Sequence, residues 1–162
     1  MIDGARLVAW LEQAGVTHLV WLPDSEIGQW EPALRASERV RLVRVCREGE
    51  AMAIAAGLWL GGASPVVAIQ CTGFFEAGDA FRNVVFDLGV PLFLIIGYRN
   101  YAARQRPDGD SAARFLEPVL RAWGLPYIVI DEGNALDRLM EFYGQQRRTA
   151  RPGAALLAEH RL

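Results

Sequence analysis

Two runs, Pro65-Val66-Val67-Ala68-Ile69-Gln70 and Pro91-Leu92-Phe93-Leu94-Ile95-Ile96, constrain the fold more than any other feature of the chain. A strand with one face in water alternates apolar and polar residues, whereas these runs are apolar on both faces up to the closing Gln70. Strands of that kind belong to parallel sheets covered by helices on each side. Four further runs have strand length and turn residues at their ends: His18 to Leu22, Arg41 to Val45, Pro126 to Ile130 and Ala154 to Ala158. The stretches between them carry helical period. From Asp3 to Ala14, Leu7, Val8, Leu11 and Ala14 share one face, and Gly15 supplies a stop. The rhythm is one of repeated βα units. It predicts an α/β fold, a doubly wound, mainly parallel sheet of about six strands with helices on both faces. With 52% hydrophobic residues, positions 1–162 are expected to form one domain.

Composition then removes several functions. The net charge is −2 and no block of like charge appears, which disfavours nucleic acid and anionic membranes as partners. The longest apolar runs fall short of the roughly 20 residues of a membrane span. Met1-Ile2-Asp3 has neither the basic nor the apolar region of a signal peptide, so a cytoplasmic protein is expected. Cys46 and Cys71 lack metal-site spacing, with only His18 and His160 to join them. No metal ligand is expected in this chain, and both cysteines are expected to be small buried hydrophobes. All 17 basic residues are arginine. Without lysine the chain supplies neither a Schiff base nor a P-loop.

Ligands of a doubly wound sheet bind beyond the carboxyl ends of its strands. The informative segments there are Pro23-Asp24-Ser25-Glu26, Cys46-Arg47-Glu48-Gly49-Glu50, Cys71-Thr72-Gly73-Phe74-Phe75 and Tyr98-Arg99-Asn100. None contains GxGxxG, which disfavours a nicotinamide dehydrogenase. Glu48 precedes Ala51 to Leu60, a helical stretch apolar on every side and therefore expected to be buried. Its small residues Ala51, Ala55 and Ala56 suit a subunit interface. Two roles fit Glu48: a desolvated acid at that interface, or, like Glu50, a simple complement to the helix dipole.

The order Glu48-Gly49-Glu50-Ala51-Met52-Ala53-Ile54-Ala55-Ala56-Gly57 resembles the glutamate segment of the pyrimidine-binding domain of thiamine-diphosphate enzymes. Pro23-Asp24-Ser25, Gln70-Cys71-Thr72-Gly73 and Pro91 to Arg99 resemble, in the same order, segments of the phosphonopyruvate and sulfopyruvate decarboxylases. The resemblance implies the α subunit of a two-chain 2-oxo acid decarboxylase acting on 3-sulfopyruvate or 3-phosphonopyruvate. In that family the glutamate, here Glu48, contacts the aminopyrimidine ring nitrogen and favours its imino tautomer. The thiazolium then serves as electron sink while carbon dioxide leaves. Pro23, Asp24, Thr72, Gly73 and Phe74 would join Glu48 around thiamine diphosphate.

The family's Gly-Asp-Gly motif for diphosphate-bound Mg2+ is missing. Gly109-Asp110-Ser111, with Asn134 further on, looks similar, but it follows Arg104-Gln105-Arg106-Pro107 where an apolar strand is required. Asp108 to Ser111 reads as a turn and helix cap. Thiamine diphosphate and Mg2+ would thus be shared with a diphosphate-binding β subunit, most simply as α2β2. The chain departs from the family at Phe74-Phe75-Glu76-Ala77-Gly78-Asp79 and from Arg99 to Ser111. Phe74 and Phe75 serve equally as pocket wall or as core. Arg99, Arg104 and Arg106 fit a clamp on a dianionic substrate or solvated surface charge, and Asp24 and Ser25 fit a site or a helix cap. A regulatory or scaffolding domain of the same fold and an unrelated flavodoxin-like binding module are the competing readings.

Overall fold

A computed structural model describes residues 2–25, 27–106, 108–131 and 135–159. Asp3 starts the first helix, α1 (Gly4–Gln13), by accepting hydrogen bonds from the amides of Ala5 and Arg6. Gly15, at a φ of +71°, turns the chain into β1 (His18–Trp21). There follow α2 (Glu31–Ala36), β2 (Arg41–Arg44), α3 (Glu48–Leu60), β3 (Pro65–Gln70), α4 (Cys71–Glu76) and α5 (Gly78–Arg82). A π-helical turn, Asn83–Asp87, leads to β4 (Phe93–Tyr98). The chain closes with α6 (Ser111–Ala122), β5 (Tyr127–Ile130), α7 (Ala135–Thr149) and β6 (Gly153–Ala158).

All six expected strands form, in the order β2-β1-β3-β4-β6-β5, and every pairing is parallel. The fourth begins at Phe93, two residues after the expected Pro91. Proline has no N–H for a ladder, and the Leu92 amide bonds back to Val90 at 2.8 Å. The α-helix after β2 starts at Glu48, ahead of the expected Ala51.

Alternate strand residues feed two cores. Val20, Val67, Ile69, Leu94 and Ile96 pack under α3, α4 and α6, while Leu19, Trp21, Val66, Phe93 and Ile95 pack under α1, α2 and α7. The expected burial of α3 on every side is corrected. Ala51, Met52, Ala55 and Ala56 face the sheet, but Ala53, Ile54, Gly57 and Leu60 face outward, with Leu60 69% exposed. No element of the described chain covers that side. Cys71 is buried as expected, whereas Cys46 is exposed, because it sits in the turn beyond the edge strand β2.

Candidate active site

The chain leaves β1 in one direction to form β2 and returns on the other side to form β3, so the sheet has its switch point between β1 and β3. Because all strands are parallel, the segments after β1, β2, β3, β4 and β6 emerge along one edge. That edge collects Asp24, Glu48, Thr72, Gly73, Arg99 and Glu159.

Glu48 is the first residue of α3, where the leading amides lack partners within the helix. Two other carboxylates serve this helix start, from the residues just before it to its second amide. Glu50 accepts from the Cys46 and Arg47 amides at 3.1 and 3.2 Å. Glu76, at the end of α4, accepts from the Gly49 amide at 2.8 Å and from Arg47 Nε and Nη2 at 2.9 and 2.7 Å. The Gly49 amide first, and the Arg47 guanidinium second, hold the Glu76 carboxyl below the ordinary glutamate value. Glu50 and Glu76 thus take the hydrogen bonds of a cap, while Glu48 adds only its charge to the first turn. The half-buried Glu48 gives its backbone amide to Glu76, but its side chain makes no hydrogen bond or ion pair among the described residues. Its side chain instead fills the space above Gly73, where any Cβ would collide with its Oε1, Cδ and Cγ atoms.

Asp24 caps the turn after β1 and also stands at this sheet edge. Its Oδ1 accepts from the Ile27 amide at 2.8 Å, while Oδ2 lies 2.6 Å from the place a Cβ would take on Gly97. Glu159 Oε1 stands 3.2 Å from that same point. The sequence reading missed Glu159, although an acid directly after the last strand is a visible signal. Cys71 lies below: burial foremost, with Asp110 and Glu159 contributing, pushes its thiol up to about 11. Pro23 and Ser25 are exposed beside Asp24.

Thr72, Phe75, Ser111, Ala112 and Phe115 line an open cavity of about 270 Å³. Phe74 is corrected as a wall residue. Residues 71–76 coil into a helix, which turns Phe74 into the core against Phe81 and Trp123, at ring separations of 5.4 and 5.5 Å, and leaves Phe75 at the surface. The three loop arginines all face acidic neighbours. Arg99 reaches Asp110 at 3.6 Å, Arg106 pairs with Asp108 at 3.0 Å, and Arg104 lies 3.6 Å over the Tyr101 ring, 3.8 Å from Glu117. Asp110 caps α6 through the Ala112 amide and also accepts from Asn100, as the turn-and-cap reading expects. Asn134, Glu26, Pro107 and His160 lie outside the described residues.

Residues 3–111 match the family described as thiamine pyrophosphate enzyme, N-terminal TPP binding domain. The chain belongs to this family. As a member of it, the chain is 24% identical over 153 residues to a sulfopyruvate decarboxylase of Methanosarcina acetivorans, which covers 94% of this chain and 39% of that protein. It is 31% identical over 99 residues to a phosphonopyruvate decarboxylase of Streptomyces viridochromogenes, covering 61% of this chain and 25% of that protein. A phosphonopyruvate decarboxylase of Streptomyces hygroscopicus is 28% identical over the same length. The chain thus spans well under half of these curated relatives. Among the described residues no helix is long and apolar enough to cross a membrane, and no group of three His, Cys, Asp or Glu side chains converges as a metal site.

The residues fit the family's cofactor on geometric grounds. An uncommitted carboxylate rests on a glycine that leaves it room, at the sheet edge where a doubly wound fold binds its ligands.

Proposed function

We propose that this chain is the aminopyrimidine-binding α subunit of a two-chain thiamine-diphosphate-dependent 2-oxo acid decarboxylase, with 3-sulfopyruvate or 3-phosphonopyruvate as substrate. The observation that carries the reading is Glu48. It is the carboxylate at the mouth of α3 that accepts no bond, while Glu50 takes the Cys46 and Arg47 amides and Glu76 takes the Gly49 amide and the Arg47 guanidinium. Thiamine diphosphate supplies an electron sink for the pair left when carbon dioxide departs from a 2-oxo acid. Glu48 holds and returns a proton at the aminopyrimidine ring nitrogen. Gly73 keeps the space above α4 free for that carboxyl, and Thr72, Pro23 and Asp24 border the cofactor. Arg99 is the substrate's first anion contact, since its bond to Asp110 is long and its side chain 55% exposed. Phe75 and Phe115 wall the cavity beside Thr72.

A diphosphate-binding partner holds Mg2+ and the rest of the cofactor, in an α2β2 complex. Two features support it: Asp110 is spent on capping α6, and the outer side of α3 is apolar and uncovered among the described residues. Co-expression with that partner should give carbon dioxide release from the substituted pyruvates. Glu48→Gln should lower turnover by about 10²–10⁴-fold, the range for loss of a proton-transfer group. Near-wild-type turnover of the Gln variant in a cofactor-saturated complex would refute the role of Glu48.

A further inference from the structure

The N-cap of α3 is a poor one. The residue there normally offers a side-chain oxygen to the amide two or three positions on, and Arg47 has donors only. The second amide of the helix, Gly49, nevertheless has its acceptor, Glu76 Oε2 at 2.8 Å. The same carboxylate takes Arg47 through Oε1 with two donors at 2.7 and 2.9 Å. Glu76 therefore replaces the missing cap from another helix and neutralises the guanidinium that stands next to Glu48. Gly73, the glycine under the Glu48 carboxyl, precedes Glu76 by three residues and so lies on the same side of α4. Both faces of the Glu48 position are thus set by one short helix.

We infer that Glu76 is a positioning residue for Glu48: by capping Gly49 and holding Arg47 it leaves the Glu48 carboxyl without a partner and seated on Gly73. The inference rests on the proposed role of Glu48. The physical alternative to the observed arrangement is specific. With Glu76 gone, the Gly49 amide and the Arg47 guanidinium both lose an acceptor, and Glu48, between them in sequence, carries a carboxylate with no bond of its own. A carboxylate bound by a guanidinium is withdrawn from proton exchange. The ion pair itself contributes little to stability, since Arg47 is 72% exposed, so the consequence falls on Glu48 more than on the fold. The other charged groups around Glu76 are already engaged. Glu50 is bound to the Cys46 and Arg47 amides, and Asp79 and Arg82 of α5 are paired with each other at 2.9 Å.

The test uses the full chain by itself and in complex with its diphosphate-binding partner. Carboxyl-carbon and amide NMR of the chain alone, at pH 7, reads Glu48 and Gly49 with no cofactor present. In Glu76→Gln the amide oxygen still caps Gly49, so its exchange protection persists, but Arg47 is released and the Glu48 carboxyl resonance moves. Adding Arg47→Gln returns that resonance. In the complex, kcat falls about tenfold in Glu76→Gln while KM stays within about twofold, and the double variant recovers most of the loss. A merely structural role predicts neither the split nor the rescue. Should Glu76→Gln fail to fold, Glu76→Asp, too short to reach Arg47 and Gly49 together, replaces it with the same expectations. An unmoved Glu48 resonance, or a folded double variant as slow as the single one, overturns the inference. Failure of the decarboxylase reading looks different: the wild-type complex is inactive while the resonance still moves.

Discussion

The two ends of the ligand-binding edge are built in opposite ways. Around Glu48 the supporting groups are bonded and the central one is not: Glu50 and Glu76 serve the helix amides and Arg47, and Glu48 rests on Gly73. Along 99–111 every arginine proposed to meet substrate already faces an acid of its own chain. The difference separates two kinds of readiness. A proton-transfer group has to be in place before the reaction and gains from a fixed surround. An anion contact exchanges one oxyanion for another, and an internal carboxylate holds its place until substrate arrives.

The largest expected effect comes from disturbing the fixed end. In Gly73→Ala the new methyl group overlaps the Glu48 carboxyl. Either the core strains, costing about 1–3 kcal/mol, or Glu48 swings aside. Displacement of a reacting group by about an ångström is worth about 10²-fold in rate. Thermal unfolding and turnover of the variant complex check this together. Unchanged stability with unchanged turnover would mean that the seat on Gly73 has no role.

The exchangeable end should answer more mildly and unevenly. Arg99 is 55% exposed on a 3.6 Å contact, whereas Arg104 is 26% exposed and stacked on Tyr101 with its Nη1 on the Tyr101 carbonyl at 2.8 Å. Arg99→Ala should therefore raise KM about tenfold, the worth of one charge-assisted bond near 1.5 kcal/mol, with kcat little changed. Arg104→Ala should instead lower stability by about 0.5–1 kcal/mol through the lost cation–π contact and leave KM within about twofold. Equal KM effects would show that the segment rearranges on binding, and would erase the contrast between the two arginines.

The sheet was legible because its central strands β3 and β4 are apolar on both faces, and a feature of that kind has few folds to satisfy it. Glu48 stood out as a candidate because strand, acid and alanine-rich helix follow one another in an order that resembles the family's glutamate segment. What escaped depends on contacts between distant segments. Glu76 meets Arg47 across 29 positions, and nothing local marks it as a cap for another helix. Phe74 and Phe75 are adjacent and chemically alike, so only the coiling of 71–76 into a helix decides which enters the core. Cys46 failed the rule that free cysteines are buried because its strand is at the sheet edge, and strand order is not written in hydrophobic periodicity. Strand order also brings Asp24 and Glu159 together at Gly97, from opposite ends of the chain.

The smallest expected effect concerns the support at the fixed end. The Glu76 carboxyl is held below its ordinary value in the folded chain, by the Gly49 amide chiefly and the Arg47 guanidinium next. The folded state therefore prefers the charged form more strongly than the unfolded state does. The resulting stability is fully present above the unfolded glutamate value and is lost as pH falls through the lower folded one, below about pH 4. Water reaches both partners, so screening keeps the contribution small. Wild type should exceed Glu76→Gln in Tm by about two degrees at pH 7, and the gap should narrow at a pH well below the ordinary glutamate value. The neighbouring Arg82 bonds to Asp79 and Asp87 are present in both proteins and cancel in the difference. A gap of equal size at both pH values would place the stabilisation in packing, and would remove Glu76 from the charged surround that distinguishes the Glu48 end.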